Sequence, residues 1–139
     1  CADECNLPIE SINAEYDAPQ FELTLRFADA LKAVDDAFLF RQMAREILYK
    51  RGYLLSFLPK PFADKAGSGL HFNISFNDTN GNNIFANDAA DGKPGEIMTG
   101  CIAGLLEHHE ALAAIMAPLT NSYAGLQPAG LSGYWANHG

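Results

Sequence analysis

The sequence is short of cysteine, of positive charge and of long apolar runs. Its three cysteines, Cys1, Cys5 and Cys101, form no CxxC pair, which argues against a disulfide scaffold and favours a reducing compartment. Nine Lys and Arg against seventeen Asp and Glu give a net charge of −8, so the clustered cations that nucleic-acid binding needs are missing. No apolar run is long enough to span a bilayer. We therefore expect a cytoplasmic protein that binds neither nucleic acid nor membrane.

Two common nucleotide-binding motifs are missing as well. Gly67-Ser68-Gly69 lacks the third glycine of a dinucleotide fingerprint, and no Walker lysine is present. These glycines favour either a tight start to a strand or a close approach of the backbone to a ligand. The chain also lacks an initiator Met, and we expect it to be a fragment of a longer protein.

What is present is an alternation of strand and helix patterns typical of an α+β protein in one domain of 139 residues. Strands are predicted over residues 8–13, 20–27, 54–58 and 67–76. Helices are predicted over residues 29–50 and 94–117, the first ended by Gly52 and the second by Pro118. Asn80-Gly81 predicts a turn, and the tail 119–139 reads as loop with at most one strand.

The stretch GSGLHFNISF, residues 67–76, alternates between apolar and polar side chains. Successive side chains of an extended chain point to opposite faces, so His71, Asn73 and Ser75 are expected on one face. That polar face is either solvated or directed into a site. Asn73 and Asn77 also begin N-glycosylation sequons. Because the cysteine content favours a reducing compartment, we interpret both sequons as chance matches.

Glu15 and Glu22 are candidate metal ligands. They are seven residues apart, so a single straight strand would place them on opposite faces, but Pro19 predicts a bend that could turn both the same way. Two carboxylates beside His71 would suit a hard divalent cation. The alternative is that both are solvated surface acids. Neighbouring helix residues point in different directions, so the pair His108-His109 is predicted to lie on a helix surface.

Short motifs follow one another along nearly the whole chain. They are residues 15–22 (EYDAPQFE), 28–31 (ADAL), 34–36 (VDD), 57–61 (FLPKP), 67–75 (GSGLHFNIS), 82–85 (NNIF), 103–105 (AGL) and 118–123 (PLTNSY). In this order they resemble the glutamine synthetase family, whose pattern has two acids around a bend and a Gln, then Lys-Pro and Gly-Ser-Gly-x-His-x-His-x-Ser. The ordered set carries the resemblance, which corresponds to the middle of a longer catalytic domain.

The resemblance implies an ATP-dependent ligase that forms a γ-glutamyl amide from glutamate and ammonia, through a γ-glutamyl phosphate. The alternatives are a ligase for larger, polyamine-type amines and a non-catalytic relative. The implied fold is part of a catalytic domain with two long helices packed on a curved antiparallel sheet. The small N-terminal domain and the C-terminal part of the catalytic domain would lie outside residues 1–139. The parent is expected to form a homo-oligomeric ring, and the fragment alone to be inactive.

The resemblance also assigns residues to sites, position by position. Two Mg²⁺ or Mn²⁺ ions are implied, with metal ligands Glu15, Glu22 and His71. Residues implied near ATP are Phe27, Asn73, Ile74 and Ser75. Residues implied beside glutamate are Ala66 and Gly67.

Four departures from the family pattern bear on the reaction. Asn73 replaces a second His, Ala66 stands where many members have an Asn, and Gly125 stands where a substrate-binding Arg is usual. A missing guanidinium removes a strong carboxylate or phosphate clamp. Residues 128–133 lack the Glu that closes the ammonia site in many members. The last departure favours larger amines as acceptors.

Overall fold

The computed structural model describes residues 2–86 and 93–126, which contain one two-stranded antiparallel sheet and four helices. The elements are β1 (Ile9–Ala14), β2 (Phe21–Leu25), α1 (Ala30–Lys50), α2 (Glu96–Glu107), α3 (His109–Met116) and α4 (Thr120–Gly125). The described residues fall into two compact units, one comprising 2–68 with 124–126 and the other 69–86 with 93–123. This mixture of elements is that of an α+β chain, as predicted.

The first unit is built on a hairpin in which β1 pairs with β2. Directly opposed residues of an antiparallel pair lie on the same face, so the register defines two faces. One face carries the polar side chains of Ser11, Asn13, Glu22 and Thr24. The other carries the apolar side chains of Ile9, Ile12, Ala14, Phe21, Leu23 and Leu25. Both predicted strands are therefore confirmed, with the first about one residue later and the second shorter than predicted.

A β-bulge at Glu10 brings the apolar residues of β1 to one face. Ile9 pairs with Leu25 while Ser11 pairs with Thr24, so Glu10 has no partner of its own. Ile9 and Ile12 are three residues apart and would face opposite sides of a regular strand. The extra residue restores them to the same side.

The predicted long helix is confirmed as α1, which contacts β2. Gly52 follows its end with a φ of +82°, a conformation that glycine adopts without steric penalty. Its N–H donates to the carbonyl of Tyr49, and the N–H of Tyr53 donates to the carbonyl of Leu48. These two bonds form a Schellman motif, so Gly52 terminates the helix as predicted.

Residues 54–58, predicted as a strand, form none. The Phe57 ring packs edge-on against Phe40 of α1, with ring centroids 6.3 Å apart. The guanidinium carbons of Arg41 and Arg45 lie 5.1 and 5.2 Å from the centre of the same ring. The segment is thus anchored to the helix through one aromatic side chain, and nearby Pro59 lacks the N–H that a strand ladder would use.

The second unit contains α2 and α3, which contact each other in place of the single helix predicted over 94–117. His108 lies between them with φ −102° and ψ 12°, outside the usual helical range. The Nδ1 of His109 donates to the carbonyl of Leu106 at 2.8 Å. This imidazole competes for a carbonyl that the helix ladder would otherwise use, which gives a local reason for the break.

Residues 67–76, also predicted as a strand, form none. Residues 69–76 belong to the second unit, and within its described part they have no ladder partner; pairing begins only with an isolated bridge between Asn77 and Asn83. The turn predicted at Asn80-Gly81 is confirmed, with the Gly81 N–H donating to the carbonyl of Asp78. The tail prediction is wrong at α4, which is helical, and residues 127–139 lie outside the described part.

Most large apolar side chains are exposed. Across residues 2–86 and 93–126, Leu7 is the one apolar side chain that is buried, at 4% exposure. Such extensive apolar exposure is unusual for an isolated monomer and is typical of surfaces that other segments cover. In the same residues no helix has both the length and the apolar character needed to cross a membrane.

Candidate functional site

The hairpin places Glu15 and Glu22 on the same face. Glu15 follows β1 directly, and its N–H donates to the carbonyl of Gln20 at 3.0 Å, which continues the register in which Asn13 lies opposite Glu22. Glu15 is therefore opposite Gln20 and diagonal to Glu22, a relation that corresponds to about 7–8 Å between Cα atoms. The chain reverses between the two acids, so their odd spacing no longer separates them.

Both carboxylates are exposed at the end of the polar hairpin face. One oxygen of Glu15, Oε2, accepts a hydrogen bond from the N–H of Tyr16 at 3.1 Å. Paired oxygen ligands of this kind fit Mg²⁺ or Mn²⁺, which prefer carboxylates and retain several other ligands. Within the described ranges no group of three His, Cys, Asp or Glu residues could hold an ion by itself. The two carboxylates alone would supply only part of a metal site, and their role as metal ligands stays a prediction.

His71 lies in the second unit, in the irregular segment that follows Gly69. A Cβ added at Gly69 would lie 3.0 Å from the Nε2 of His71, closer than nearly all real Cβ contacts. Glycine at this position therefore allows the imidazole to fold back over the backbone. Its role as a metal ligand stays a prediction.

The residues implied near ATP are all exposed. Asn73, Ile74 and Ser75 lie in the second unit, where Ile74 is 64% exposed. Phe27 lies in the first unit just after β2, and its side chain is 100% exposed. An exposed aromatic ring is available for stacking on a base. Their roles stay predictions.

Ala66 and Gly67 lie in the first unit, where two side chains of the hairpin turn hold them. The Nε2 of Gln20 donates to the carbonyl of Gly67 at 2.9 Å and to the Oγ of Ser68 at 3.3 Å. The carboxylate of Asp17 accepts the N–H of Ala66. Sequence reasoning missed both side chains, because contacts across 47 to 49 residues leave no local pattern.

Another missed feature is the buried carboxylate of Asp36 on α1. Its side chain is 8% exposed, and both oxygens accept from the Nζ of Lys32, at 2.5 and 2.6 Å. The i,i+4 spacing of the two residues is a signal that could have found this pair. Pairing accounts for the burial of this charge, so we assign it a structural role.

The turn at residues 78–82 is organised by Asp78. Its Oδ1 accepts the N–H groups of Asn80 and Asn82, and its Oδ2 accepts the side-chain amide of Asn82. The side chain and then the backbone of Asn82 hold the pKa of Asp78 below its usual value. The carboxylate is thus occupied as a turn-forming group, which agrees with reading this stretch as a simple turn.

The chain is similar to known proteins over most or all of its length. Residues 1–139 match the family described as glutamine synthetase, catalytic domain. A type-1 glutamine synthetase 1 from Dictyostelium discoideum is 37% identical over 96% of this chain and 26% of its own length. A glutamate–isopropylamine ligase from Pseudomonas sp is 33% identical over 95% of this chain and 29% of its own length.

A third relative, a glutamate–methylamine ligase from Methyloversatilis universalis, is 38% identical over 86% of this chain and 27% of its own length. The chain therefore spans between a quarter and a third of the length of these curated relatives. The relatives include a protein named glutamine synthetase and proteins named as isopropylamine and methylamine ligases, so similarity alone leaves the amine open. Taken with the whole-length match, these comparisons show that the chain belongs to the glutamine synthetase catalytic-domain family.

Proposed function

We propose that the chain is part of the catalytic domain of an ATP-dependent ligase that joins glutamate to an amine. The observation that carries the proposal is the placement of Glu15 and Glu22 on one face of the hairpin, in a chain whose whole length matches the family. The exposed apolar side chains support the further proposal that other parts of a longer protein cover this one. A curved antiparallel sheet in the longer catalytic domain, with α1 packed on it, and a ring of subunits belong to the same proposal.

In this proposal the residues act mainly by holding reactants in place. Glu15 and Glu22 hold one divalent ion, and His71 holds a second. When bound, Mg²⁺ or Mn²⁺ neutralises charge on the phosphoryl group of ATP. Residues 66–67 orient glutamate through the backbone, so that its side-chain carboxylate can receive the phosphoryl group before the amine displaces phosphate.

ATP is assigned to Phe27 and to residues 73–75. The ring of Phe27 stacks on adenine, and Asn73, Ile74 and Ser75 contact the nucleotide. Asn73 offers an amide where the family has a second imidazole, so the contact there is a neutral hydrogen bond over the whole physiological pH range. A cytoplasmic location accompanies this metabolic role and agrees with the cysteine content.

A larger amine is favoured over ammonia as the acceptor. Residues 128–133 contain no acid, and Gly125 offers no guanidinium. The Glu that closes the ammonia site in many family members therefore has no counterpart in this stretch, which supports an acceptor other than ammonia. The isopropylamine and methylamine ligases among the relatives support this choice.

The test is phosphate release from ATP by the protein at its natural full length, with glutamate and each of ammonia, methylamine, isopropylamine and putrescine. Glu22→Gln keeps the side-chain shape and removes the charge, so it should lower turnover more than about 100-fold and weaken Mn²⁺ binding. Glu10→Gln, at the exposed bulge of the same hairpin, is the matched control and should stay within about twofold.

Unchanged turnover in Glu22→Gln would reject the metal assignment. Tight binding of Mn²⁺ and ATP in calorimetry, with no turnover on any of the four amines, would instead identify a non-catalytic member of the family. Faster turnover with ammonia than with every larger amine would overturn the choice of acceptor alone.

A further inference from the structure

Residues 66–68 depend on side chains of the hairpin turn for their position. Their own side chains are a methyl group, a hydrogen and a hydroxymethyl group, which offer little packing to fix a backbone. Three successive residues are instead held by two partners: Asp17 accepts from Ala66, and Gln20 donates to Gly67 and Ser68. The N–H of Ser68 also donates to the carbonyl of Pro59 at 2.6 Å.

The two partners are themselves fixed relative to the carboxylate hairpin. The carbonyl of Gln20 accepts from the N–H of Glu15 at 3.0 Å, and the N–H of Gln20 donates to the carbonyl of Asp17 at 2.8 Å. Gln20 is thus bonded through its backbone to a proposed metal ligand and through its side chain to the segment 66–68. Asp17, Gln20 and Ser68 are each partly buried, so these bonds are shielded in part from water.

We propose that Asp17 and Gln20 are positioning residues that hold the backbone of residues 66–68 at a set distance from the Glu15 and Glu22 carboxylates. This inference rests on the proposed function, in which Ala66 and Gly67 lie beside glutamate. Loss of either side chain removes part of this support and leaves the segment more mobile, so part of its backbone must be ordered when glutamate binds. The affinity for glutamate falls, while the metal ligands keep their place on the paired strands.

A merely structural role predicts something different. If the bonds only stabilise the hairpin turn, their loss lowers the melting temperature, and it affects glutamate and metal alike through partial unfolding. The positioning role predicts that glutamate binding weakens while metal binding does not change. It also predicts that the hydrogen-bond acceptor of Asp17, rather than its charge, is what matters, since the partner is a backbone N–H.

The experiment compares Gln20→Met and Asp17→Ala with Asp17→Asn in the full-length protein. Methionine approximates the length of glutamine without its donor, and asparagine keeps an acceptor oxygen without the charge. Gln42→Met, at an exposed position of α1, is the matched control. Two readouts are taken: amide hydrogen exchange of residues 66–68 without metal or nucleotide, and the dependence of turnover on glutamate and on Mn²⁺.

We expect Gln20→Met and Asp17→Ala to raise amide exchange in residues 66–68 and to raise KM for glutamate about tenfold. We expect kcat to change by less than about threefold, and the Mn²⁺ half-saturation to stay where it is. Asp17→Asn should keep both the amide exchange and the KM for glutamate close to those of the unsubstituted protein. Gln42→Met should change neither.

Unchanged amide exchange in residues 66–68 would reject the positioning role of Asp17 and Gln20. Faster exchange with an unchanged KM for glutamate would leave these residues with a structural role only. A parallel rise in KM and in the Mn²⁺ half-saturation would also reject the positioning role. If Gln20→Met melts at a much lower temperature, Ser68→Ala replaces it, because this variant removes only the 3.3 Å contact and should still speed exchange in the segment. If the unsubstituted protein shows no glutamate-dependent turnover, the proposed function is rejected. The amide exchange data would still test whether Asp17 and Gln20 position residues 66–68.

Discussion

The β2 strand of the hairpin and the segment of residues 67–76 carry the same alternation of polar and apolar side chains, yet only β2 forms a strand. In the hairpin only six residues separate β2 from its partner β1, so the ladder closes locally. In the described part of the second unit, the segment meets a partner only at the bridge from Asn77 to Asn83. Alternation therefore specifies which side chains share a face, whereas a strand also requires a partner.

Amide exchange should show the largest difference between these regions. In the 139-residue chain we expect the hydrogen-bonded amides of β1 and β2 to exchange at least about 100-fold more slowly than those of residues 70–76. The proposal that a longer protein covers the segment predicts that its amides become protected at natural full length. Equal protection of both regions in the short chain would contradict the comparison.

Neighbouring substitutions in β2 test the two faces of the hairpin. Leu23→Asn places an amide on the apolar face and should lower the free energy of unfolding by about 1–2 kcal/mol. Thr24→Asn changes the next residue, on the polar face, and should stay within about 0.5 kcal/mol. Urea denaturation of both variants measures the difference. Equal losses would show that the faces are not distinguished by burial.

In the contrasting segment, Gly69→Ala tests the position of His71. The new methyl group would lie 3.0 Å from the Nε2, so the imidazole should move by a few tenths of an ångström and its ring NMR signals should shift. The ring is the flexible end of a side chain, so stability should change by less than about 1 kcal/mol. Gly100→Ala, which meets nothing within 4 Å on α2, is the control and should leave the His71 signals in place.

The smallest effect is expected at Asp78, in the turn that follows the segment. Hydrogen bonds from Asn82 lower the pKa of this carboxyl in the folded chain, so the ionised form favours the turn. The stabilisation is present above the pKa of the unfolded chain and is lost as the pH falls through the lower, folded value. An NMR titration should find the pKa of Asp78 below that of ordinary aspartates. Asn82→Ala should raise this pKa towards the ordinary value. A normal pKa in the unsubstituted protein would contradict the bonds.

The features that sequence reasoning predicted correctly are those that depend on residues close together in the sequence. The α1 helix shows its spacing directly, and Gly52 is the residue that a Schellman ending needs. Alternation predicted the second hairpin strand, but the shared face of Glu15 and Glu22 stayed open, because it depends on how the chain reverses around Pro19. The register supplied that answer.

The features that it missed depend on particular distant or side-chain contacts. Residues 54–58 look like a strand, but the ring of Phe57 is held by α1 instead. The break at His108 coincides with a single imidazole bond to a carbonyl. Asp17 and Gln20 reach a segment more than forty residues away. The roles of His71, Phe27 and residues 73–75 stay predictions, because they depend on ligands.

The bulge at Glu10 has a consequence for changes in chain length. The extra residue lies outside the paired stretch from Ser11 to Thr24, so deleting it would leave Ile9 opposite Leu25 and make the ladder unbroken. The carboxylates of Glu15 and Glu22 would keep their alignment. A residue inserted between Asn13 and Glu15, or between Gln20 and Glu22, would instead shift one acid against the other. The alignment of the two acids therefore tolerates a change of length at the bulge and not within these short paired stretches.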